Sequence, residues 1–269
     1  MDVLFQPRRA ILQKAFVQGQ KVKNALASAD PALGSDSSVW LKDSRGRPII
    51  PRLHFAGPRD GGDAIRIGLF AGIHGDEAAG VHSLLRFHRL LLQDPDIARG
   101  YELYFYPICN PHGFEMSTRH SREGKDLNRE FWTNSAAPEV QVLEREIVER
   151  KFHGLISLHA DDTSEGLYGF VRGAVLSKAL LEPALKAAEQ VLPRNADPVI
   201  DGFPAENGII ANCYDGILAS PPDLHPCPFE IILETPHLAP AAKQEGAILL
   251  ALRSILGEYG KFLSYAADL

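Results

Sequence analysis

The sequence predicts an α/β fold, a single domain with a mixed, mostly parallel β-sheet flanked by helices on both faces. Short apolar segments alternate along the chain with longer segments whose apolar residues recur at helical spacing, which is the pattern of successive βαβ units. The segment at 65–71 is largely apolar and bounded by glycines, as is typical of a strand buried on both faces. The length of 269 residues suits one such domain spanning 1–269, without an internal repeat.

The predicted elements follow from periodicity and turn chemistry. An N-terminal helix at 8–27 and a loop to residue 38 are expected to pack on the domain. Two strands, 39–41 and 48–55, flank turn residues and form a β-hairpin. The later predicted elements are a helix at 78–92, a strand at 101–108 closed by a turn at 110–113, a loop at 114–137, a helix at 138–151, a strand at 154–158, a helix at 175–192, a loop-rich region at 202–228, a strand at 229–233 and a helix at 241–265.

Composition and charge exclude several classes of partner. The net charge of −6 provides no basic excess to neutralise phosphates, so no nucleic-acid partner is expected. No segment is predicted to span or anchor to a membrane, and residues 1–25 contain no apolar run typical of a signal peptide. The three cysteines have no metal-site or disulfide spacing, which favours reduced thiols and a cytoplasmic location.

The first candidate metal ligands follow the strand at 65–71. His74 and Glu77 stand three residues apart where the next helix begins, so an imidazole and a carboxylate can bind one metal ion from the same side. In an open α/β sheet, ligands bind outside the carboxyl ends of the strands. Alone the pair is weak evidence, because acidic residues are also favourable in a first helical turn.

Two further strands end in residues of matching chemistry. The strand at 154–158 is followed by His159, and the strand at 229–233 is followed by Glu234. Two histidines and one carboxylate are the protein ligands of a hydrolytic zinc site that leaves a fourth position for water. Glu234 lies in an apolar segment, which tends to raise a carboxyl pKa, and is therefore the candidate general base and acid.

An ordered set of motifs joins these residues. In sequence order they are His-x-x-Glu at 74–77, Asn-Pro-x-Gly at 110–113, Thr-Arg at 118–119, Asp-Leu-Asn-Arg at 126–129, His159 and Glu234. This order resembles the zinc carboxypeptidase family, including its relatives aspartoacylase and succinylglutamate desuccinylase. The resemblance implies a zinc carboxypeptidase-like fold and one Zn²⁺ per chain, with His74, Glu77 and His159 as its ligands.

The resemblance also implies how substrate is held. Arg119 would polarise the substrate carbonyl and stabilise the oxyanion, although the neighbouring Arg122 is an alternative for this role. Asn128 and Arg129 would bind the terminal carboxylate, for which the planar guanidinium is suited.

Three further roles follow from the same resemblance. Asp126 would lie behind the metal and orient His74. Tyr214 would be a mobile residue that covers the substrate, with an ordinary loop position as the alternative. The side-chain specificity position falls near the uncharged Ala219, which predicts a pocket for a small or apolar side chain.

Three functional hypotheses remain. The leading one is a zinc-dependent metallocarboxypeptidase that hydrolyses the amide bond next to a free carboxylate in a peptide or peptidoglycan fragment. The alternative is an N-acyl amino acid deacylase, which an extra cationic group in the acyl pocket would favour for a dicarboxylic substrate. The third is a catalytically silent binding domain, which needs neither the proton shuttle of Glu234 nor the oxyanion group of Arg119.

Overall fold

The computed structural model describes residues 19–29, 38–59, 61–173 and 175–267. The strands are β1 (Ser38–Lys42), β2 (Pro48–Ala56), β3 (Ile65–Ala71), β4 (Tyr101–Tyr106), β5 (Gly154–Asp161), β6 (Tyr168–Gly173), β7 (Val199–Ile200), β8 (Phe203–Pro204), β9 (Ile209–Ile210) and β10 (Phe229–Pro236). The α-helices are α1 (Gln20–Ala29), α2 (Ala78–Gln93), α3 (Pro111–Met116), α4 (Pro138–Arg150), α5 (Leu176–Ala188) and α6 (Ala241–Ala267), and 3-10 helices lie at Pro95–Ala98 and Leu127–Arg129.

Eight of the strands form one mixed sheet with the order β1-β2-β4-β3-β5-β10-β6-β9. Its centre, β4-β3-β5-β10, is parallel, while β1, β2 and β4 pair antiparallel at one side and β6 pairs antiparallel with β10 at the other. The short strands β7 and β8 form a separate hairpin. The predicted α/β fold with a mixed, mostly parallel sheet is therefore confirmed.

Two hydrophobic cores lie on opposite faces of the sheet. One packs α1, α2, α5 and α6 against strand residues such as Leu69, Leu158 and Leu233. The other packs α4 against Phe70 and Tyr106, whose rings stack 4.6 Å apart. Successive residues of β3 thus bury apolar side chains on opposite faces of the sheet, which explains its continuous apolar sequence. Full burial of one such large side chain stabilises the fold by about 1.5–3 kcal/mol relative to its exposure.

Some elements differ from the prediction. The turn predicted at 110–113 is wrong, because Asn110 caps α3 and Pro111 occupies its first turn. The predicted loop at 114–137 contains the end of α3 and a 3-10 helix, and β6 to β9 were not predicted. Of the helix predicted at 8–27, residues 8–18 lie outside the described residues. The described helix α1 spans residues 20–29. A single domain over 1–269 stays a prediction.

The topology brings the carboxyl ends of β3, β5 and β10 side by side. These strands are parallel neighbours, with Ala71 opposite Leu158 and Glu234 opposite His159. Residues at or just after these ends therefore converge at one edge of the sheet. Within the described ranges, no helix has the length and apolar character to cross a membrane.

Candidate active site

A tight loop after β3 positions the first two candidate ligands. Gly72 has φ +62°, a left-handed conformation that favours glycine, and a Cβ on Gly75 would lie 1.8 Å from the carbonyl carbon of Gly113. The loop then ends at Glu77, the N-cap of α2. His74 is consequently fixed in a buried position between β3 and α2.

The three predicted ligands converge. Nδ1 of His74 lies 2.6 Å from Oε1 of Glu77, and Nδ1 of His159 lies 3.0 Å from Oε2 of the same carboxylate. One ligand atom from each residue falls within 4.8 Å of the others. The far nitrogens are held as well, His74 Nε2 by Asp126 Oδ1 at 3.1 Å and His159 Nε2 by Ser157 Oγ at 3.0 Å. These outer contacts turn both Nδ1 atoms toward one point.

This donor set fits a metal ion. It combines two imidazole nitrogens with one carboxylate, all buried, and such a set is typical of catalytic zinc. In the described part of the chain it is the one group of His, Cys, Asp and Glu side chains with this convergence. We refer to His74, Glu77 and His159 as the metal triad.

Two carboxylates beside the metal position, Glu77 and Asp126, have lowered pKa values. Burial alone would raise the pKa of Glu77, but the charges and hydrogen bonds of His159 and His74 outweigh it and lower the pKa to about 2. Burial also opposes the lowered pKa of Asp126, which follows from contacts with His74 and Arg119. Burial lowers the pKa of His74, but its hydrogen bonds to Asp126 and Glu77 raise the pKa by more, so the net shift is upward.

Glu234 has the opposite electrostatic character. It lies at the end of β10, opposite His159 on β5. Burial raises its pKa to about 8, and the charges of Glu77 and Asp161 act in the same direction, while His159 opposes them. A carboxyl group with this pKa can accept and release a proton near neutral pH, as a general base and acid requires.

Arg119 lies beside the triad. Its Nε and Nη2 donate to Asp126 Oδ2 at 3.1 and 2.9 Å, and its Nη1 lies 3.7 Å from Glu77 Oε1. Asn110 supports this segment, since its buried amide donates to the carbonyls of Ile73 and Arg119. The guanidinium is therefore a fixed positive charge next to the proposed metal position.

Asn128 is presented by the 3-10 helix that Asp126 begins, where Asp126 Oδ1 accepts from the backbone N–H of Asn128 at 2.9 Å. Its side-chain oxygen accepts from the backbone N–H of Leu218 at 2.8 Å. The amide nitrogen is thus the group that remains for a ligand in the cavity.

Arg129 and Tyr214 form a stacked pair. The guanidinium lies 4.2 Å from the centre of the Tyr214 ring. The phenol donates to the carbonyl of Asp201 at 3.1 Å, and Phe203 of β8 packs edge-on against the same ring. Tyr214 therefore lies in the cavity wall beside the predicted carboxylate site, and its mobility stays a prediction.

A cavity of about 330 Å³ connects these residues. The predicted residues that line it are His74, Glu77, Arg119, Asn128, Arg129, His159, Tyr214 and Glu234. Asp126 lies behind this wall, in contact with His74 and Arg119. The structure thus brings all nine predicted site residues together, and their individual roles stay predictions.

Other residues of the site were given no role from the sequence. Further residues that line the cavity are Asp76, Asp161, Asp162, Tyr168, Phe170, Asp201, Cys213, Ile217, Ile232 and His237. Ser157 and Asp161 alternate with His159 on β5, so strand periodicity provides a signal for both. Ala219 itself is 1% exposed and lines neither described cavity, whereas Ile217 lines both, so the specificity position near Ala219 stays a prediction.

The site and fold match known proteins. Residues 63–191 match the family model of the succinylglutamate desuccinylase/aspartoacylase catalytic domain. None of the curated proteins matches the chain.

Solved structures share the fold over most of the chain. A candidate metallopeptidase from Shewanella amazonensis is 24% identical with TM-score 0.70, covering 88% of this chain and 91% of its own. A metallo-carboxypeptidase from Burkholderia cenocepacia is 18% identical with TM-score 0.63, covering 89% and 69%. The murein-tripeptide amidase MpaA from Escherichia coli O157 is 20% identical with TM-score 0.53, covering 85% and 94%.

These structures share the carboxypeptidase-like fold with this chain, and the triad lies in that fold as a donor set suited to a metal ion. Residues 63–191 are similar to the succinylglutamate desuccinylase/aspartoacylase catalytic domain. The resemblance inferred from the motifs is confirmed. The family segment contains the triad, Arg119 and Asn128, whereas Glu234 lies beyond it.

Proposed function

We propose that the protein is a zinc-dependent metallocarboxypeptidase that hydrolyses the amide bond next to a free carboxylate in a peptide or peptidoglycan fragment. The observation that carries this proposal is the single cavity lined by the triad, by Glu234 with its raised pKa, and by two separate arginines, Arg119 and Arg129. A hydrolase of this kind needs one cation near the developing oxyanion and another for the terminal carboxylate.

The chain's own residues divide the chemistry between them. His74, Glu77 and His159 would hold the zinc ion, which supplies a polarised water at neutral pH when bound. Glu234 takes a proton from the attacking water and returns it to the leaving amine, for which a pKa near 8 is suitable.

Arg119 and the 3-10 helix position the substrate. Arg119 donates to the substrate carbonyl oxygen as negative charge develops there, and its pairing with Asp126 fixes its direction beforehand. The amide nitrogen of Asn128 and the guanidinium of Arg129 bind the terminal carboxylate, which orients the scissile bond.

The charges of the cavity favour a peptide over a dicarboxylic acyl substrate. Arg119 and Arg129 are the arginines of the cavity lining, which contains no lysine among the described residues. The lining also includes Asp76, Asp162 and Asp201, whose negative charge suits a free amino group and repels a second carboxylate.

The N-acyl amino acid deacylase is the second candidate. It is favoured by the family match over 63–191, because succinylglutamate desuccinylase and aspartoacylase give that family its name. Both reactions need the triad, Glu234 and a carboxylate grip, so only the acyl side of the cavity distinguishes them. The expected cytoplasmic location applies to either function and stays a prediction.

Metal analysis and two substrate panels test the proposal. Small peptides with free C-termini and N-acyl amino acids are compared for the wild type, Glu234→Gln and Glu165→Gln, an exposed acid outside the cavity lining. We expect about one zinc per chain in all three proteins and turnover of peptides. Loss of the proton shuttle in Glu234→Gln should lower kcat by about 10²–10⁴-fold, with no effect of Glu165→Gln.

The other outcomes are equally informative. Turnover of N-acyl amino acids alone, abolished by Glu234→Gln, would replace the peptidase with the deacylase. Absence of zinc and of turnover on both panels would contradict both enzymes and favour a binding domain. Full activity of Glu234→Gln would remove this residue from the mechanism.

A further inference from the structure

One acidic residue of the main cavity lies a step beyond the catalytic row of the sheet. His159 on β5 stands opposite Glu234 on β10, and the next pair on this face of β5 is Asp161 opposite Pro236. Asp161 is about 7 Å from His159 along the strand, at about 3.3 Å per residue. It lines the same cavity as the triad and Glu234. A substrate carbonyl at the metal position therefore has Asp161 as a neighbour toward the end of the strand.

The Asp161 carboxylate is held in place by three donors. Its Oδ1 accepts from the backbone N–H and the hydroxyl of Thr163, both at 2.7 Å, and its Oδ2 accepts from Tyr168 Oη at 2.9 Å. The two oxygens of a carboxylate accept about four hydrogen bonds in all. One acceptor position, on Oδ2, is therefore left for a donor in the cavity.

Among the described residues, no lysine or arginine forms an ion pair with this carboxylate. The two arginines of the cavity lining have other contacts, since Arg119 pairs with Asp126 and Arg129 stacks on Tyr214. Asp161 is partly buried, where an ionic contact is screened less than at the surface. A cationic group that binds beside Asp161 therefore gains a charge-assisted hydrogen bond.

The predicted carboxylate site is built from other elements. Asn128 and Arg129 lie on the 3-10 helix and contact the segment 214–218, whereas Asp161 contacts the segment 163–168. The cavity thus has a cationic and an anionic site on separate parts of its wall. Its volume of about 330 Å³ is near the lower end for ligand sites. A short peptide with both termini free carries the matching pair of charges.

We propose that Asp161 determines substrate specificity by binding the free amino group of the residue that supplies the scissile carbonyl, which makes dipeptides the substrates. This rests on the proposed function, in that Asn128 and Arg129 hold the carboxylate at the other end. The ammonium donates to Asp161 Oδ2, and the hydrogen bond from Tyr168 keeps this oxygen in place. An N-acyl amino acid lacks the ammonium and forgoes this contact.

The test compares two substrates that differ by one amino group. Alanyl-leucine and propionyl-leucine have the same scissile bond and the same leaving group, and only the first has an amine on the acyl side. Both are assayed with the zinc-loaded full chain of the wild type, Asp161→Asn and Asp162→Asn. Asp162 is the matched control, because it lines the same cavity with the same charge but is exposed.

We expect wild-type kcat/KM for alanyl-leucine to exceed that for propionyl-leucine by at least about tenfold, as a charge-assisted hydrogen bond provides. Asp161→Asn should bring this ratio near one, mainly through a higher KM for the dipeptide. Asp162→Asn should change the ratio by less than about threefold, because an exposed charge is screened. Since Asp161 also acts on Glu234, a change in kcat is common to both substrates, and the ratio removes it.

The pH dependence of the ratio reports on the ammonium itself. The α-amino group of a peptide has a pKa of about 7.7–8.0 in solution, so the substrate is cationic below this range and neutral above it. The wild-type ratio should therefore be constant below about pH 7 and fall toward one by about pH 9, with no such fall in Asp161→Asn. A wild-type ratio that is independent of pH would contradict ammonium binding.

A second variant keeps the inference testable if Asp161→Asn does not fold. Tyr168 is a positioning residue, and Tyr168→Phe keeps the buried ring but removes the hydroxyl that restrains Oδ2. We expect this variant to lower the ratio by about threefold through KM, less than Asp161→Asn, because the carboxylate remains. A wild-type ratio in Tyr168→Phe would remove the tyrosine from this role.

The outcomes separate this inference from the proposed function. Equal kcat/KM for both substrates in the wild type, or an unchanged ratio in a cooperatively unfolding Asp161→Asn, would overturn the role of Asp161 and leave the hydrolase intact. Preference for propionyl-leucine would contradict both proposals and favour the deacylase. If neither substrate is hydrolysed, the proposed function fails, and calorimetric titration of the same pair tests Asp161 by binding alone. Equal Kd values for the pair in the wild type would then contradict its role.

Discussion

Two clusters of buried charged side chains lie in this fold, and they are built differently. In one, which we call the Glu146 cluster, the Oε2 atom of Glu146 accepts from Tyr106 Oη and Arg52 Nη1, both at 2.7 Å, and from Arg150 Nε at 3.3 Å. Glu146 is 4% exposed, and its Oε2 accepts from all three neighbours, while Nε of Arg52 has no hydrogen-bond partner. The arrangement is a structural network that joins α4 to β2 and β4.

The metal triad has the same burial but a different geometry. Its lone pairs, from His74, Glu77 and His159, converge on one point beside the main cavity, and Asp126 and Ser157 restrain the far nitrogens. The Glu146 cluster contributes no residue to the lining of either described cavity. Buried charge alone therefore does not identify a functional site, whereas convergent lone pairs at a cavity do.

Removal of one triad ligand gives the largest expected effect. His159→Ala should reduce zinc affinity by more than the roughly 100-fold loss typical of residues behind a metal, because a direct ligand is lost. Metal analysis after dialysis should find about one zinc per chain in the wild type and almost none in the variant. His82→Ala, an exposed histidine on α2, is the matched control and should keep its metal. Unchanged zinc content in His159→Ala would contradict the triad.

The Glu146 cluster should respond in stability and not in metal binding. Glu146→Gln leaves Arg52 and Arg150 without a charged partner, which should lower the free energy of unfolding at pH 7 by about 3 kcal/mol. Urea unfolding of the zinc-loaded proteins measures this loss, while zinc content stays at about one per chain. Loss of metal in this variant would show that the two clusters are coupled.

The pH dependence of the same contribution has a definite sign. Burial would raise the pKa of Glu146, but hydrogen bonds from Tyr106 and Arg52 and the charges of Arg52 and Arg150 outweigh it and lower the pKa. The unfolded chain then binds the proton more tightly, so the contribution is complete above the ordinary pKa of 4.5 and is lost as the pH falls below it. The difference in free energy of unfolding between the wild type and Glu146→Gln should therefore shrink as the pH is lowered from about 5.

The fold was predictable where apolar periodicity is long and regular. The strands β3, β4, β5 and β10 and the helices α2, α4 and α6 follow continuous apolar runs or helical spacing, and each lies within a few residues of its prediction. Strands β7 to β9 have two residues each, too few for periodicity to register. The start of α3 was misread because Asn-Pro also begins turns, and only the fold reveals Asn110 as a helix cap.

The site was predictable where residue type and motif order carry the chemistry. Asp126, Asn128 and Arg129 lie in one motif, and the triad follows the ends of successive strands. Cavity residues on β6 were missed because that strand was not predicted, so Tyr168 and Phe170 were not recognised as part of the cavity wall. Ser157 was missed for a simpler reason, since a lone serine in an apolar strand is chemically ordinary and only its alternation with His159 along β5 marks it.

Ser157 provides the smallest expected effect and the sharpest test of what separates the two clusters. When Nδ1 of His159 binds the metal, Nε2 donates to Ser157 Oγ across 3.0 Å, so Ser157→Ala frees the ring while all three ligands remain. Zinc affinity should fall by about tenfold, with unfolding in the metal-free state changed by less than about 1 kcal/mol. Ser83→Ala is the matched control, because this buried serine donates to the carbonyl of Ala79 within α2, and it should leave zinc affinity unchanged. Competition with a zinc chelator measures both variants. Equal affinities would mean that β5 alone orients His159, and the metal triad would then need no hydrogen bond behind this ligand.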